Sequence, residues 1–306
     1  MQSASTVLLV RPARFAFNPE TAASNSFQQH IQGLDAASVQ AQAFAEFDAL
    51  AVRLRSRGVQ VLVVADTPTP AKPDAVFPNN WVTFHADGRV LLYPMCAPSR
   101  RAERRPDILE ALAHDFRISQ VLDISGSEQH GRYLEGTGSI VFDHVHRVAY
   151  ACLSARTDAG LLEEVCAQLQ YRPVAFRAQD AQGHAIYHTN VMLCVGTRFA
   201  VVCLESIADA SERALVQDSL ERSGHEIVTV SLAQVARFAG NMLELQPTGS
   251  PTLLALSQSA HDALTPEQRH VLSCYADLLP LSIPTIETIG GGSVRCMLAE
   301  VFLPKK

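Results

Sequence analysis

A cysteine stands behind three consecutive glycines in the run Gly290-Gly291-Gly292-Ser293-Val294-Arg295-Cys296. Glycine reaches backbone conformations closed to other residues and lets a ligand approach closely, so the sulfur that follows can be presented to a pocket. Cysteine is also among the most buried residue types and often serves only as a small hydrophobe. Cys96, Cys152, Cys166, Cys194, Cys203 and Cys274 fit that packing role, lying in apolar stretches such as Val191-Met192-Leu193-Cys194-Val195; Cys296 does not. A thiol nucleophile needs a base, and usually a third group that orients the base. His188, in Tyr187-His188-Thr189-Asn190-Val191, stands where an apolar strand begins. Glu135, in Leu134-Glu135-Gly136-Thr137-Gly138, sits beside glycines just ahead of another strand. His130, His144, His146 and His184 lie in polar stretches and read as surface residues. Thiol, imidazole and carboxylate are together the groups that nucleophilic catalysis by cysteine requires. No cysteine and histidine spacing resembles a zinc site, so no metal is expected. The glycine run reads as preceding a strand, not the helix a phosphate loop requires, and no cofactor is expected.

The elements that position these residues follow from composition and pattern. With 306 residues, 47% of them hydrophobic and 18% charged, the chain can bury a large core without splitting into separate domains. The net charge of -6 and the isoelectric point near 6.0 argue against a nucleic-acid partner. The one dense basic run, Arg100 to Arg105, is short and interrupted by Glu103. Seven cysteines without regular spacing fit reduced thiols in a cytoplasm. Neither a secretory leader nor a membrane-length apolar run is apparent, so a cytoplasmic protein with no membrane partner is expected.

Apolar runs and breakers divide the chain into modules. Thr6 to Val10 reads as a strand, Leu34 to Arg57 as an amphipathic helix ending at Gly58, and Val59 to Val64 as a strand. Strands follow at Trp81 to Phe84, Val90 to Tyr93 and Val121 to Ile124, with a helix near Arg104 to His114. The next unit holds strands Ser139 to Phe142, Arg147 to Leu153 and Pro173 to Phe176 around a helix from Asp158 to Leu169. A fourth holds Asn190 to Val195, Arg198 to Glu205 and Glu226 to Val230 around a helix from Ser211 to Ser223, and a fifth runs from Met242 to the C-terminus. Five modules of two strands, a helix and a strand imply a repeat architecture, with strand ends turned toward a common centre.

Glu135, His188 and Cys296, in that order, resemble the guanidine-modifying superfamily of arginine deiminases, dimethylarginine dimethylaminohydrolases and amidinotransferases. The resemblance covers almost the whole chain. It rests on Asp74-Ala75-Val76-Phe77-Pro78-Asn79-Asn80, Ala97-Pro98-Ser99-Arg100-Arg101, Leu134 to Gly138, Leu153-Ser154-Ala155-Arg156-Thr157, His188-Thr189-Asn190 and the glycine run with Cys296. It implies an α/β fold, a five-bladed α/β propeller of ββαβ modules with pseudo-fivefold symmetry, formed by residues 1–306 as a single domain. It further implies that Cys296 is the nucleophile, that His188 acts as acid and then as base, and that Glu135 orients it. Asp74, Arg100 and Arg156 fall where relatives hold the amino and carboxylate ends of an amino acid, and an arginine fork suits a carboxylate. Without the resemblance Arg100 would read as an exposed helix start and Arg156 as a surface ion pair.

Two positions depart from the arginine-specific pattern. Where relatives acting on arginine place carboxylates around the guanidinium, this chain has Asn79-Asn80 and Asn190. A buried guanidinium without anionic partners carries a penalty of several kcal/mol. A ureido group is neutral and offers both an acceptor and donors, which an asparagine amide can meet. The reading is therefore a citrulline hydrolase resembling the citrulline-utilisation branch, with a deiminase or dihydrolase of arginine, methylarginine or an acylated arginine as the alternative, and a non-catalytic propeller that binds an amino acid or a protein as the competitor from another class. The partners expected are a small amino-acid substrate and, at most, further copies of the chain. The polar segment Asn18 to Gln32 reads equally well as a lid or as a plain loop.

Overall fold

The computed structural model describes residues 1–31, 33 and 35–306. Its strands form five separate three-stranded sheets built on one plan. In each, a short first strand runs antiparallel to the middle strand and a third strand runs parallel to it. A tight turn cannot join parallel strands, so the long connection between the second and third carries the helices of each module. This is the ββαβ propeller expected from the sequence.

Blade two is Val82–Phe84, Arg89–Leu92 and Gln120–Asp123, and blade three is Val141–Asp143, Val148–Cys152 and Arg172–Phe176. Blade four is Leu193–Val195, Phe199–Val202 and Glu226–Thr229, and blade five is Leu243–Leu245, Leu253–Ser257 and Asp277–Leu281. Blade one holds Thr6–Arg11 and Gln60–Ala65, and takes its first strand from the far end of the chain, where Ala299–Glu300 pairs with Thr6–Arg11. The fifth module therefore does not extend to the C-terminus: it ends at Leu281, and the last strand completes the first blade. Pattern along the chain cannot reveal this, because strand pairing is a property of space.

The core packs between neighbouring blades: one cluster joins blades one and two, another two and three, a third three, four and five, and a fourth five and one. Every residue of Val148–Cys152 and of Leu253–Ser257 is buried, since both faces of these middle strands are covered. Each buried leucine or valine there contributes about 1.5–3 kcal/mol of transfer free energy. The helix Ala36–Ser56 buries Val39, Ala43, Phe47, Leu50, Ala51 and Leu54 at helical spacing, and the Asp35 side chain caps it by accepting from the Ser38 amide. The sequence placed its start at Leu34, a position outside the described residues. Among the described residues no helix is long and apolar enough to cross a membrane.

Single helical turns precede the first strands. Pro78–Asn80, Gly136–Ser139, Thr189–Val191 and Val294–Met297 lead into the first strands of blades two, three, four and one. The strands expected to begin at Ser139 and Asn190 start later, and the glycine run leads into a helical turn instead of a strand. A short apolar run does not distinguish the two conformations.

Candidate active site

These turns gather the chemically capable side chains around one small cavity. Asp74, Asn80, Arg100, Arg156, His188 and Cys296 line it together with Thr21, Asn25, Phe77, Tyr187 and Gly290 to Gly292. His188 Nε2 lies 2.8 Å from Glu135 Oε2. The other oxygen, Oε1, accepts from the Cys96 amide at 2.9 Å, and Arg156 Nη1 approaches Oε2 at 3.5 Å. Asn190 sits against the thiol, its Nδ2 at 3.6 Å from Cys296 Sγ. Asn79 is buried but faces away from the cavity, donating from Nδ2 to Thr137 Oγ1 at 3.3 Å and so tying the turn of blade two to that of blade three. Of the nine residues singled out by sequence, the structure thus brings eight around the reacting centre and leaves Asn79 behind it.

Arg100 and Arg156 are buried, unlike the exposed positions their local sequence suggests. Arg100 donates to both oxygens of Glu103 at 2.9 Å, to Asn80 Oδ1 at 2.7 Å and to the Phe77 carbonyl at 3.2 Å. Arginine has donors only, so the Asn80 atom facing it must be the oxygen, which leaves Asn80 Nδ2 free of any partner on the cavity side. Gly138 makes this possible. A Cβ there would stand 2.4 Å from Asn80 Nδ2 and 2.7 Å from the His188 ring.

Burial dominates the electrostatics, and the ions present decide the outcome. Burial pushes His188 down to about 4 against the upward pull of Glu135, with Arg156 and Arg100 lowering it further, so the imidazole is neutral near pH 7. Burial opposes ionisation of Glu135 too, but Arg156, the His188 contact and Arg100 outweigh it and hold the carboxylate well below its usual range. Asp74 is raised by burial, which Arg100, Asn18, Arg156 and Thr21 offset only in part. Glu103 is pushed up to about 7 by burial despite Arg100.

Sequence reasoning missed several contributors. Asn241 is fully buried; its Nδ2 donates to Cys296 Sγ at 3.3 Å and to the Asn190 carbonyl at 2.9 Å, while its Oδ1 accepts from the Arg295 amide at 3.0 Å. Its signal was positional: it lies just before the first strand of blade five, the same slot that carries Asn80, Asn190 and Cys296 in other blades. Asn18, Thr21, Ser24 and Asn25 cover the cavity. Asn18 and Thr21 donate to Asp74, Arg156 donates to the Thr21 carbonyl and Ser24 hydroxyl, and Asn25 donates to the Gly291 carbonyl. Tyr187 donates to that same carbonyl at 2.8 Å. Residues 18–28 therefore form a cover; Gln32, at the end of the segment read from sequence, lies outside the described residues. Beneath it the cavity is about 10 Å³, room for one water. A larger hollow of about 500 Å³ beside Phe27, Arg237 and Phe238 contains none of the catalytic candidates. His130, His146 and His184 are exposed as read, whereas His144 is half-buried; Cys274 is exposed and Cys96 half-buried, unlike the other packing cysteines.

Comparison with known proteins bears on the family and the fold. The family model described as N,N dimethylarginine dimethylhydrolase, eukaryotic, matches residues 11–303. No curated protein matches by sequence. Among solved structures, the chain is similar to a substrate-bound mutant of the N-terminal domain of ArgZ, an arginine dihydrolase from the ornithine-ammonia cycle in cyanobacteria. The TM-score is 0.75 at 15% identity, covering 98% of each chain. Unliganded AgrE aligns with a TM-score of 0.76 at 15% identity over 98% of this chain, which spans 40% of AgrE. A dimethylarginine dimethylaminohydrolase adduct with 4-chloro-2-hydroxymethylpyridine aligns with a TM-score of 0.66 at 14% identity, covering 97% of this chain and 99% of that one. The chain belongs to the N,N-dimethylarginine dimethylhydrolase family, within the guanidine-modifying superfamily of α/β propellers.

Proposed function

We propose that the chain is a cysteine-dependent hydrolase that cleaves the ureido C–N bond of citrulline, giving ornithine, carbon dioxide and ammonia. The observation that carries this reading is the orientation of Asn80. Its oxygen is held by Arg100, and its buried amide N–H₂, in a side chain of the cavity lining, has no partner among the described residues. A ureido oxygen can accept from that donor, whereas a guanidinium, which has only donors, would face it unpaired.

In this mechanism neutral His188 takes the thiol proton and Cys296 Sγ bonds to the ureido carbon. Asn241 and Asn190 donate toward the sulfur as charge develops on it. The imidazolium, balanced by Glu135, returns the proton to the departing nitrogen as its bond to carbon breaks, and ornithine leaves. His188 then takes a proton from water as the oxygen attacks the carbamoyl thioester. The thiol is regenerated, and the carbamic acid released divides into carbon dioxide and ammonia. Asp74 takes the α-amino group and Arg156 and Arg100 the α-carboxylate end. Entry of substrate exchanges the bonds from Arg156 to Thr21 and Ser24 for bonds to the substrate.

A second reading is an arginine dihydrolase, favoured by the likeness to ArgZ and by the buried cluster itself. There Asp74, Glu103 and Glu135 outnumber Arg100 and Arg156 by one formal charge. The purified chain should be incubated separately with citrulline, arginine and dimethylarginine, with ornithine and citrulline assayed. Ornithine from citrulline alone is the expected result. Ornithine from arginine at a comparable rate would favour the dihydrolase, and citrulline accumulating from arginine, with added citrulline untouched, would end the ureido reading.

A further inference from the structure

Away from the cavity, a second set of polar side chains converges where blade three meets blade four. Asp143 ends the first strand of blade three, His146 lies in the hairpin that follows, and His225 comes directly before the third strand of blade four. Asp143 Oδ2 is 2.9 Å from His146 Nδ1 and 2.9 Å from His225 Nε2, and the three donor atoms lie within 4.8 Å of one another. Asp143 and His225 are buried, while the His146 side chain is 39% exposed.

A buried carboxylate is costly unless a cation accompanies it. Among the described residues no lysine or arginine pairs with Asp143; its partners are the two imidazoles. With both imidazoles neutral the set carries one net negative charge, two nitrogen donors and an oxygen donor, a combination that suits divalent transition metals of the zinc class.

We propose that Asp143, His146 and His225 bind one divalent transition-metal ion that clips blade three to blade four. In a tetrahedral zinc site, bonds of about 2.0–2.1 Å place neighbouring donors about 3.3 Å apart. The two 2.9 Å separations from Asp143, each holding a proton, open by only a few tenths of an ångström to reach this, while the two imidazole nitrogens, within 4.8 Å of one another, settle to the same spacing. Among the described residues the His225 ring is hydrogen-bonded to Asp143 and its Nδ1 has no partner, so reorienting the ring toward an ion sacrifices no other hydrogen bond. On binding, the ring protons shift to His146 Nε2 and His225 Nδ1, freeing His146 Nδ1 and His225 Nε2 as ligands. The exposed side of His146 leaves the fourth position to water. Sequence spacing hid this set, since His146 and His225 lie 79 positions apart and no cysteine takes part.

The test uses the full chain carrying Cys296→Ser, which removes the thiol as a competing ligand. Zn²⁺ is titrated against a chromogenic chelator and thermal unfolding is followed with and without the metal. One ion per chain and a higher Tm with zinc are expected. His146→Ala, at a side chain that is 39% exposed, should weaken binding by more than about 100-fold, since even a group that merely supports a ligand is worth about 10–100-fold. Asp143→Asn should do the same and also abolish the Tm increase. Absence of a bound ion, or affinity unchanged in the folded His146→Ala protein, would overturn the proposal.

Discussion

The molecule holds the same pair of groups, a buried carboxylate hydrogen-bonded to an imidazole, in two places with opposite surroundings. At the centre, His188 and Glu135 meet at 2.8 Å with Arg156 and Arg100 within about 4 Å of the carboxylate. At the rim, Asp143 meets His146 and His225 at 2.9 Å, with no arginine or lysine paired to it among the described residues. The guanidiniums at the centre compensate Glu135, and burial together with those guanidiniums keeps His188 neutral and able to exchange protons with a substrate. At the rim the positive charge is missing, and a metal ion can supply it. Neighbouring charge, more than the pair itself, decides which chemistry follows.

The contrast can be sharpened by removing the parts of the central site in turn. Cys296→Ser should lower turnover of citrulline by more than about 10⁴-fold, read in ornithine release, while circular dichroism stays that of the parent. Glu135→Gln keeps the shape of the pair but removes its charge, and kcat should fall by about 10²–10⁴-fold because the imidazolium loses its counter-ion. The matching Asp143→Asn change at the rim should leave kcat within about twofold, as expected of a site remote from the chemistry. If both carboxamides depressed kcat alike, the distinction between the sites would collapse.

Asn80→Asp places a carboxylate against Arg100 and deletes the free amide donor. Citrulline kcat/KM should drop by about 10–100-fold, the worth of one hydrogen bond with a buried partner left unmet, while arginine gains relative to it. An unchanged preference in steady-state assays of both substrates would detach specificity from Asn80.

Acid stability gives the smallest effect. His188 is at about 4 in the folded chain against 6.5 as its ordinary value, so between those pH values the unfolded chain binds a proton that the native one does not. Stability therefore falls as pH drops through this window, by about 3 kcal/mol at 1.36 kcal/mol per pKa unit. Glu135 acts in the same direction: its stabilisation is present above its ordinary value of 4.5 and is lost on further acidification. Urea unfolding from pH 7 to pH 4 should lose less stability in His188→Gln than in the parent, and equal losses would contradict the assignment.

Much of this was readable in the chain. The middle strands declared themselves as apolar runs, the helix at Ala36–Ser56 by its buried stripe, and Cys296, His188 and Glu135 by glycines and strand boundaries beside them. The two arginines were recognised as site residues only through the family resemblance, because their local sequence looks exposed. Asn241 was overlooked because an asparagine before an apolar strand resembles an ordinary turn. Asn79 was grouped with Asn80 since adjacency in sequence does not tell which of two neighbouring side chains faces a cavity.

By itself the sequence determined the repeated module and the chemical types available at the start of each blade, because hydrophobic period and residue chemistry are local. Only the tertiary structure decided that the last strand completes the first blade, that Asn80 presents nitrogen instead of oxygen, and that Asp143 lies between two distant histidines. Those outcomes depend on which groups meet across space, where hydrogen-bond partners and buried charges, not neighbours along the chain, set the energy.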